Sequence, residues 1–437
     1  MRVDEHLFRR EAGRMVGTLT HIFGVHNLAL AEDVVQDAFC RALEVWKFRG
    51  VPENPSAWLM KTAKNRALDI LRRERTATTF APELGRLLQS EWTLAPVVEE
   101  IFGPASIKDD QLRMMFSCCQ PRLREEAQVA LILNILCGFS VEEVAHAFVS
   151  GRAAIEKRIL RAKKVLKGSK KMFEMGSAED FPARLTAVQR ALYLLFNEGY
   201  HGASPESAVR VDLCQEAIRL TRLLLECEAA AVPETFALLA LMCLHAARLP
   251  ARLNEAGNLA TFVQQDRTRW DAKLAIEGQR LLDLSATGEK LTEYHIEAAI
   301  AATHAKAARA EDTDWTRIVW LYEKLARIRP SPIVALNRAI AIAQLEGPER
   351  GLAEIRAIAD QARLEKYPFY AAAMGEMEFR LGEFSGAEKH FREALALARN
   401  PMERQFLEQR TKDCAESAGV VIRKGRKRHD NFLRQLL

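Results

Sequence analysis

Two adjoining stretches decide the fold: AEDVVQDAFCRALEVW at residues 31–46 and NPSAWLMKTAKNRALDILRRER at residues 54–75. In the first, Val35, Phe39, Ala42 and Trp46 recur at helical intervals and form one stripe, with Asp33, Asp37 and Glu44 opposite. This spacing predicts a helix from about Leu30 to Trp46. The segment KFRGVPEN that follows reads as a loop. Asn54 then Pro55 is an N-cap with proline at the first helical position, where no backbone N–H is needed. A further helix is predicted from Pro55 to about Arg75, with Leu59, Ala63, Ala67, Ile70 and Leu71 inward. Its last turns are polar: Asn65, Arg66, Asp69, Arg72 and Arg73.

The same periodicity extends outward in both directions. A helix is expected over about Asp4–Val25, closing an amino-terminal domain at 1–75. Residues 76–106 are weakly periodic, with Pro82, Pro96 and Pro104, and read as a linker. Residues 107–172 form a compact helical unit. There Ser140 and Glu143 make a capping box, a short helix runs to Phe148, and the turn Val149-Ser150-Gly151 leads to a basic helix ending near Lys170. Beyond residue 178 one Ala/Leu-rich amphipathic helix follows another. We divide this stretch into a helical domain at 178–285, repeats at 286–418 and a basic tail at 419–437. Pro332, Pro368 and Pro401 are 36 and 33 residues apart, and the unit between the last two places Leu381-Gly382, Ala387, Phe391 and Ala394 where tetratricopeptide-like helices cross. The expected fold is all-α throughout.

Composition narrows the function. The chain has 437 residues, 28% charged and 49% hydrophobic, enough for several packed cores. No apolar run approaches the ~18 residues of a membrane span, and the eight cysteines lack CxxC spacing. These features suit a reduced, cytoplasmic protein without membrane, metal or cofactor. Net charge is +3 over 1–75, −3 over 76–106, +5 over 107–170, −5 over 171–418 and +5 over the tail. Basic charge therefore gathers at the front and the very end, a pattern that suits nucleic acid at the front and another partner along the body.

Three patches carry candidate chemistry. The basic helix holds Arg152, Lys157, Arg158, Arg161, Lys163 and Lys164, with Ile155, Ile159, Ala162 and Leu166 inward. It is either the second helix of a helix-turn-helix, suited to a major groove, or a solvated basic face. Asn65, Asp69, Arg72 and Arg73 share one face of the 55–75 helix, where such side chains bond base edges as well as phosphates or simply pair with one another. Trp46 and Trp58 flank the KFRGVPEN loop, as core residues or as walls for an unstacked base. The stripe of Glu32, Asp33, Gln36, Asp37 and Glu44 is either solvated or a surface for a basic protein.

These segments, in this order and spacing, resemble the extracytoplasmic-function sigma factors of RNA polymerase. The two opening stretches resemble regions 2.2 to 2.4, and LREEAQVALILNILCGFSVEEVAHAFVSGRAAIEKRILRAKKVL (123–166) resembles region 4. The resemblance implies that Asp33, Gln36 and Asp37 dock on the clamp coiled coil of core RNA polymerase. It implies that Asn65, Arg66, Asp69, Arg72 and Arg73 read the −10 element of promoter DNA. Arg152, Lys157, Arg158, Arg161 and Lys164 then read the −35 element. The turn FVSGRAAIE lacks the Gly and Thr that the family more usually carries there. The string ALYLLFNEGYHGASPESAVRVDLCQEAIRL (191–220) resembles the opening of the helical, tetratricopeptide-like extension of one sigma branch, which implies that the extension regulates or assists the sigma activity, through contact with the sigma domains or a separate partner.

Two other readings compete. An autonomous helix-turn-helix regulator with a peptide- or ligand-binding repeat domain has no need of the 28–75 block. A hydrolase built around NEGYH would use Glu198 and His201 as acid and base, yet no nucleophile, metal-ligand spacing or phosphate loop accompanies them. A helix-end polar cluster suits those residues better, and His245, His295 and His304 fall at no metal-binding spacing. The expectation is a non-enzymatic sigma factor.

Overall fold

A computed structural model of the protein describes residues 5–23, 27–73, 109–148, 150–167, 181–202, 209–253, 259–260 and 264–436. These residues contain nineteen α-helices and no strand beyond one bridge between Leu253 and Leu259. The linker expected at 76–106 lies outside them. By packing, the chain divides into two compact units. One comprises Met1–Glu198 with Asp212–Thr235, the other Gly199–Val211 with Phe236–Leu437.

The first unit begins with α1 (Glu5–Phe23), α2 (Leu28–Arg49) and α3 (Pro55–Arg73). Asn54 accepts the Ala57 N–H at 3.0 Å, so the cap read from sequence starts α3. Val34, Val35, Ala38 and Ala42 of α2 are buried, as are Leu59, Ala63 and Ala67 of α3. Trp46 is buried between the Phe8 ring, 5.8 Å away, and the edge of Trp58, 5.4 Å away.

Four helices follow: α4 (Asp110–Cys118), α5 (Glu125–Leu136), α6 (Val141–Ala147) and α7 (Arg152–Lys167). The Asp109 carboxylate caps α4 through the Leu112 N–H. Ser140 and Glu143 bond reciprocally at the start of α6, the expected box. Ile155, Ile159, Ala162 and Leu166 are buried, and α7 packs chiefly on α5 and α6. The fully apolar interior of α5, from Val129 to Leu133, is sealed on all sides.

In turn, α4 packs on α1. The end of α5 also meets α1, and Gly13 permits it: a Cβ there would stand 1.9 Å from the Leu136 carbonyl oxygen. The unit is completed by α8 (Phe181–Tyr200) up to Glu198 and by α9 (Val211–Leu225) from Asp212 onward. Phe181 stacks on Phe116 of α4, with centroids 5.3 Å apart and planes 7° from parallel.

The second unit holds α10 (Pro233–Ala246) from Phe236 onward, α11 (Leu249–Arg252), α12 (Ala272–Ser285), α13 (Glu293–Lys306), α14 (Trp315–Ile328) and α15 (Pro332–Leu345). It continues through α16 (Pro348–Arg356), α17 (Pro368–Leu381), α18 (Phe384–Ala396) and α19 (Pro401–Leu436). From α12 to α19 each helix packs on its sequence neighbours. Prolines open α15, α16 and α17, and Gly382 ends α17 in the left-handed region at φ 81°, where a side chain would be strained. Ala387, Phe391 and Ala394 are buried at the crossing of α17, α18 and α19, as their spacing predicts. The backbone of the expected tail continues α19 to Leu436.

Candidate functional site

On α2, Asp33, Gln36, Asp37 and Glu44 are exposed, whereas Glu32 is half-buried. The stripe is thus open to a partner along all but its first residue. On α3, Asn65, Arg66 and Asp69 are exposed. Arg72 and Arg73 continue the helix, but their side chains lie outside the described residues. The structure joins these two patches, because Arg66 Nε donates to Asp37 Oδ2 at 3.0 Å.

The loop expected at 47–54 begins only at Gly50, because α2 runs on to Arg49; on either side of it the sequence left the two tryptophans as core or as walls for a base. Trp46 is core and Trp58 is half-buried against it. The aromatic ring open to solvent is instead Phe48, 84% exposed, with the Lys47 ammonium 5.9 Å from its centroid. A helical-stripe reading passes over Phe48 because it is off the buried face. The signal was the KFR string itself, an apolar ring between two cations.

On α7, Lys157, Arg161 and Lys164 point outward, and among the described residues none has an ion-pair partner. Arg152, also exposed, lies 3.5 Å from Glu142. Arg158, grouped with Lys157 and Arg161 by the resemblance, turns away from them and is half-buried. It pairs with Glu126 at 3.4 Å, and its guanidinium sits over the Phe148 ring, 5.6 Å from the centroid. The reason is angular: at about 100° per residue, position 158 lies on the flank of the Ile155–Leu166 stripe, whereas 157, 161 and 164 lie nearly opposite it. Lys163 lies on the other flank and bonds both carboxylate oxygens of Glu32, at 2.7 and 3.0 Å.

Seven of the eight cysteines are buried free thiols; Cys40 is exposed. Burial pushes the Cys119 thiol up to about 12, so it is no nucleophile. In the second unit, Tyr200 lies under the Arg252 guanidinium, 4.4 Å from the ring centroid, and His201 Nδ1 is 3.3 Å from Arg252 Nη2. Burial, reinforced by the charge of Arg248, pushes His245 and His304 down to about 3. His295 bonds Thr292 at 2.8 Å at the start of α13. Among the described residues, no group of three His, Cys, Asp or Glu is placed to hold a metal ion, and no helix is long and apolar enough to cross a membrane.

Residues 7–77, which carry the α2 and α3 patches, match the sigma-70 region 2 family. Residues 184–286 match a family of unknown function (DUF6596). The chain is 32% identical over 147 residues to the RNA polymerase sigma factor CarQ of Myxococcus xanthus, covering 32% of this chain and 73% of CarQ. It is 39% identical over 408 residues to an uncharacterized protein of Rhizobium meliloti, covering 93% of this chain and 94% of that protein. No solved structure matches it. The chain belongs to the family of RNA polymerase sigma factors. Its amino-terminal domain is a sigma region 2, a non-enzymatic module of transcription initiation that implies binding to core polymerase and promoter.

Proposed function

We propose that this chain is a promoter-specificity subunit of the extracytoplasmic-function type, in which residues 107–172 act as region 4. The observation that carries this reading is the outward face of α7. Lys157, Arg161 and Lys164 stand exposed on a helix whose opposite side is buried on a capped partner, in a chain whose residues 7–77 match sigma region 2. A helix so presented enters a major groove, and its cations displace counterions from the −35 phosphates.

Asn65, Arg66 and Asp69, with Arg72 and Arg73 further along α3, read the −10 element. A base-edge bond there discriminates by ~1–3 kcal/mol. Asp33, Gln36 and Asp37 dock on the clamp coiled coil of core polymerase. The repeats at 286–418 are tetratricopeptide-like, and with the 178–285 domain they regulate or support initiation.

The test is run-off transcription with core polymerase and the full chain. Asn65→Ala with Asp69→Ala should lower the yield and change base preference at the −10 element. An absence of any core-dependent transcript from the unaltered chain would overturn the reading. The full chain is needed, because a fragment ending before α8 would strip Phe181 from Phe116.

A further inference from the structure

Three distant parts of the sequence meet at one buried amide. Gln111, on α4, is 3% exposed. Its side-chain N–H donates to the carbonyl of Leu136, the last residue of α5, at 2.9 Å. Its side-chain oxygen accepts from Arg219 Nη2 at 3.4 Å. Arg219 stands on α9, inside the 184–286 segment of unknown function. The same guanidinium reaches Asp109, the cap of α4, at 3.1 Å, and is clasped by Glu216 at 2.8 and 2.7 Å. These bonds hold Arg219 firmly charged, Glu216 contributing most.

Across from Arg219, α1 of the region 2 domain closes on the same point. A Cβ at Gly13 would stand 1.9 Å from the Leu136 oxygen and 3.2 Å from Gln111 Nε2, so no water fits between α1 and this bond. One turn on, Thr18 donates to Asp110 at 3.0 Å. The Lys163–Glu32 pair is a further tie, joining α7 to α2 beside Asp33 of the acidic stripe.

We propose that α9 is a latch that holds the region 4 helices on region 2, with Arg219 as its positioning residue. Without Arg219 the Gln111 oxygen is buried and unbonded. The amide then turns or withdraws, and the Leu136 carbonyl loses its donor at a crossing that admits no water. The fault is thereby passed to the α1 interface. Resting on the sigma factor reading, this latch has a consequence for assembly: in the closed chain Lys163 occupies the edge of the polymerase-facing stripe, and the two DNA-reading helices are fixed to one another. Core polymerase must open the latch to bind.

The full chain carries its own probe site, since Cys40 is exposed and the other seven cysteines are buried. Spin labels at Cys40 and at Leu160→Cys, an exposed α7 position, report the α2–α7 distance by pulsed electron resonance. The free chain should give one short distance. Arg219→Met, and separately Gly13→Ala, which strains the crossing without touching the extension, should each shift the closed-to-open ratio by about tenfold. Each should tighten core binding correspondingly. Glu32→Lys alone should also open the chain, and Lys163→Glu added to it should restore the short distance.

An unchanged distance distribution in Arg219→Met, with normal core binding, would overturn the latch and leave the sigma reading standing. Distances that shift as expected in a chain that never binds core would uphold the latch and overturn the sigma reading. If Arg219→Met fails to fold, the Gly13→Ala and charge-exchange chains decide the matter, and unmoved distances in both would overturn the latch.

Discussion

Arg66 on α3 donates to Asp37 on α2 at 3.0 Å, and both side chains are about half exposed. The pair spans the seam between the residues proposed for −10 reading and those proposed for polymerase docking. An exposed pair of this kind is worth ~0–1 kcal/mol. Its weight is therefore positional: it sets where the Arg66 guanidinium is held when neither polymerase nor DNA is bound.

This separates two neighbouring acids. Asp33→Lys should abolish co-purification with core polymerase, with little change in thermal stability, because Asp33 is exposed. Asp37→Lys should do the same and also release Arg66, altering −10 base preference in whatever transcription remains. Normal core binding by both variants would remove the stripe from docking.

The α7 cations divide in the same way. Lys157→Ala with Arg161→Ala should flatten the salt dependence of open-complex formation by about one unit of slope per lost phosphate contact. Arg158→Ala should leave the slope unchanged and instead cost up to ~1 kcal/mol of stability, because Arg158 is committed to Glu126 and Phe148. Filter binding of holoenzyme across a salt series measures the slopes, and urea melts measure the cost.

Phe116 lies between the core of α4 to α7 and Phe181. Phe116→Ala should destabilise the first unit by ~3–5 kcal/mol. Truncation at residue 175 should lower the melting temperature of the remaining helices and increase binding of an apolar dye. A fragment as stable as the full chain's first unit would show that α8 and α9 contribute nothing to it.

Acid should weaken the second unit. His245 and His304 titrate near 3 when folded, against about 6.5 in an unfolded chain, so the unfolded state binds the extra protons. Their stabilisation is complete above pH ~6.5 and is lost as pH falls from there toward 3, by up to ~1.4 kcal/mol per pH unit for each histidine. Urea midpoints followed by tryptophan fluorescence between pH 7.5 and about 4.5 measure the slope. His245→Asn with His304→Gln should reduce it, whatever its effect on the midpoint at neutral pH; an unchanged slope would assign acid lability to other groups.

What the sequence determined by itself was local and periodic. The Asn54 cap, the Ser140–Glu143 box and the buried stripes of α2, α3 and α7 depend on residues within a turn or two of one another, so spacing alone reveals them. The same holds for Ala387, Phe391 and Ala394 at the α17–α18 crossing. Tertiary structure decided which charged side chains stay open to a partner. Arg158, Lys163 and Arg66 look alike in a basic string, yet each is claimed by an acid on another helix, 29 to 131 residues away in the bonds of Arg66 and Lys163. Arg219 and Gln111, 108 residues apart, give no signal to helical spacing at all. Helix periodicity records which side of a helix is buried; which neighbour buries it, and which charge waits there, is settled only when the helices pack.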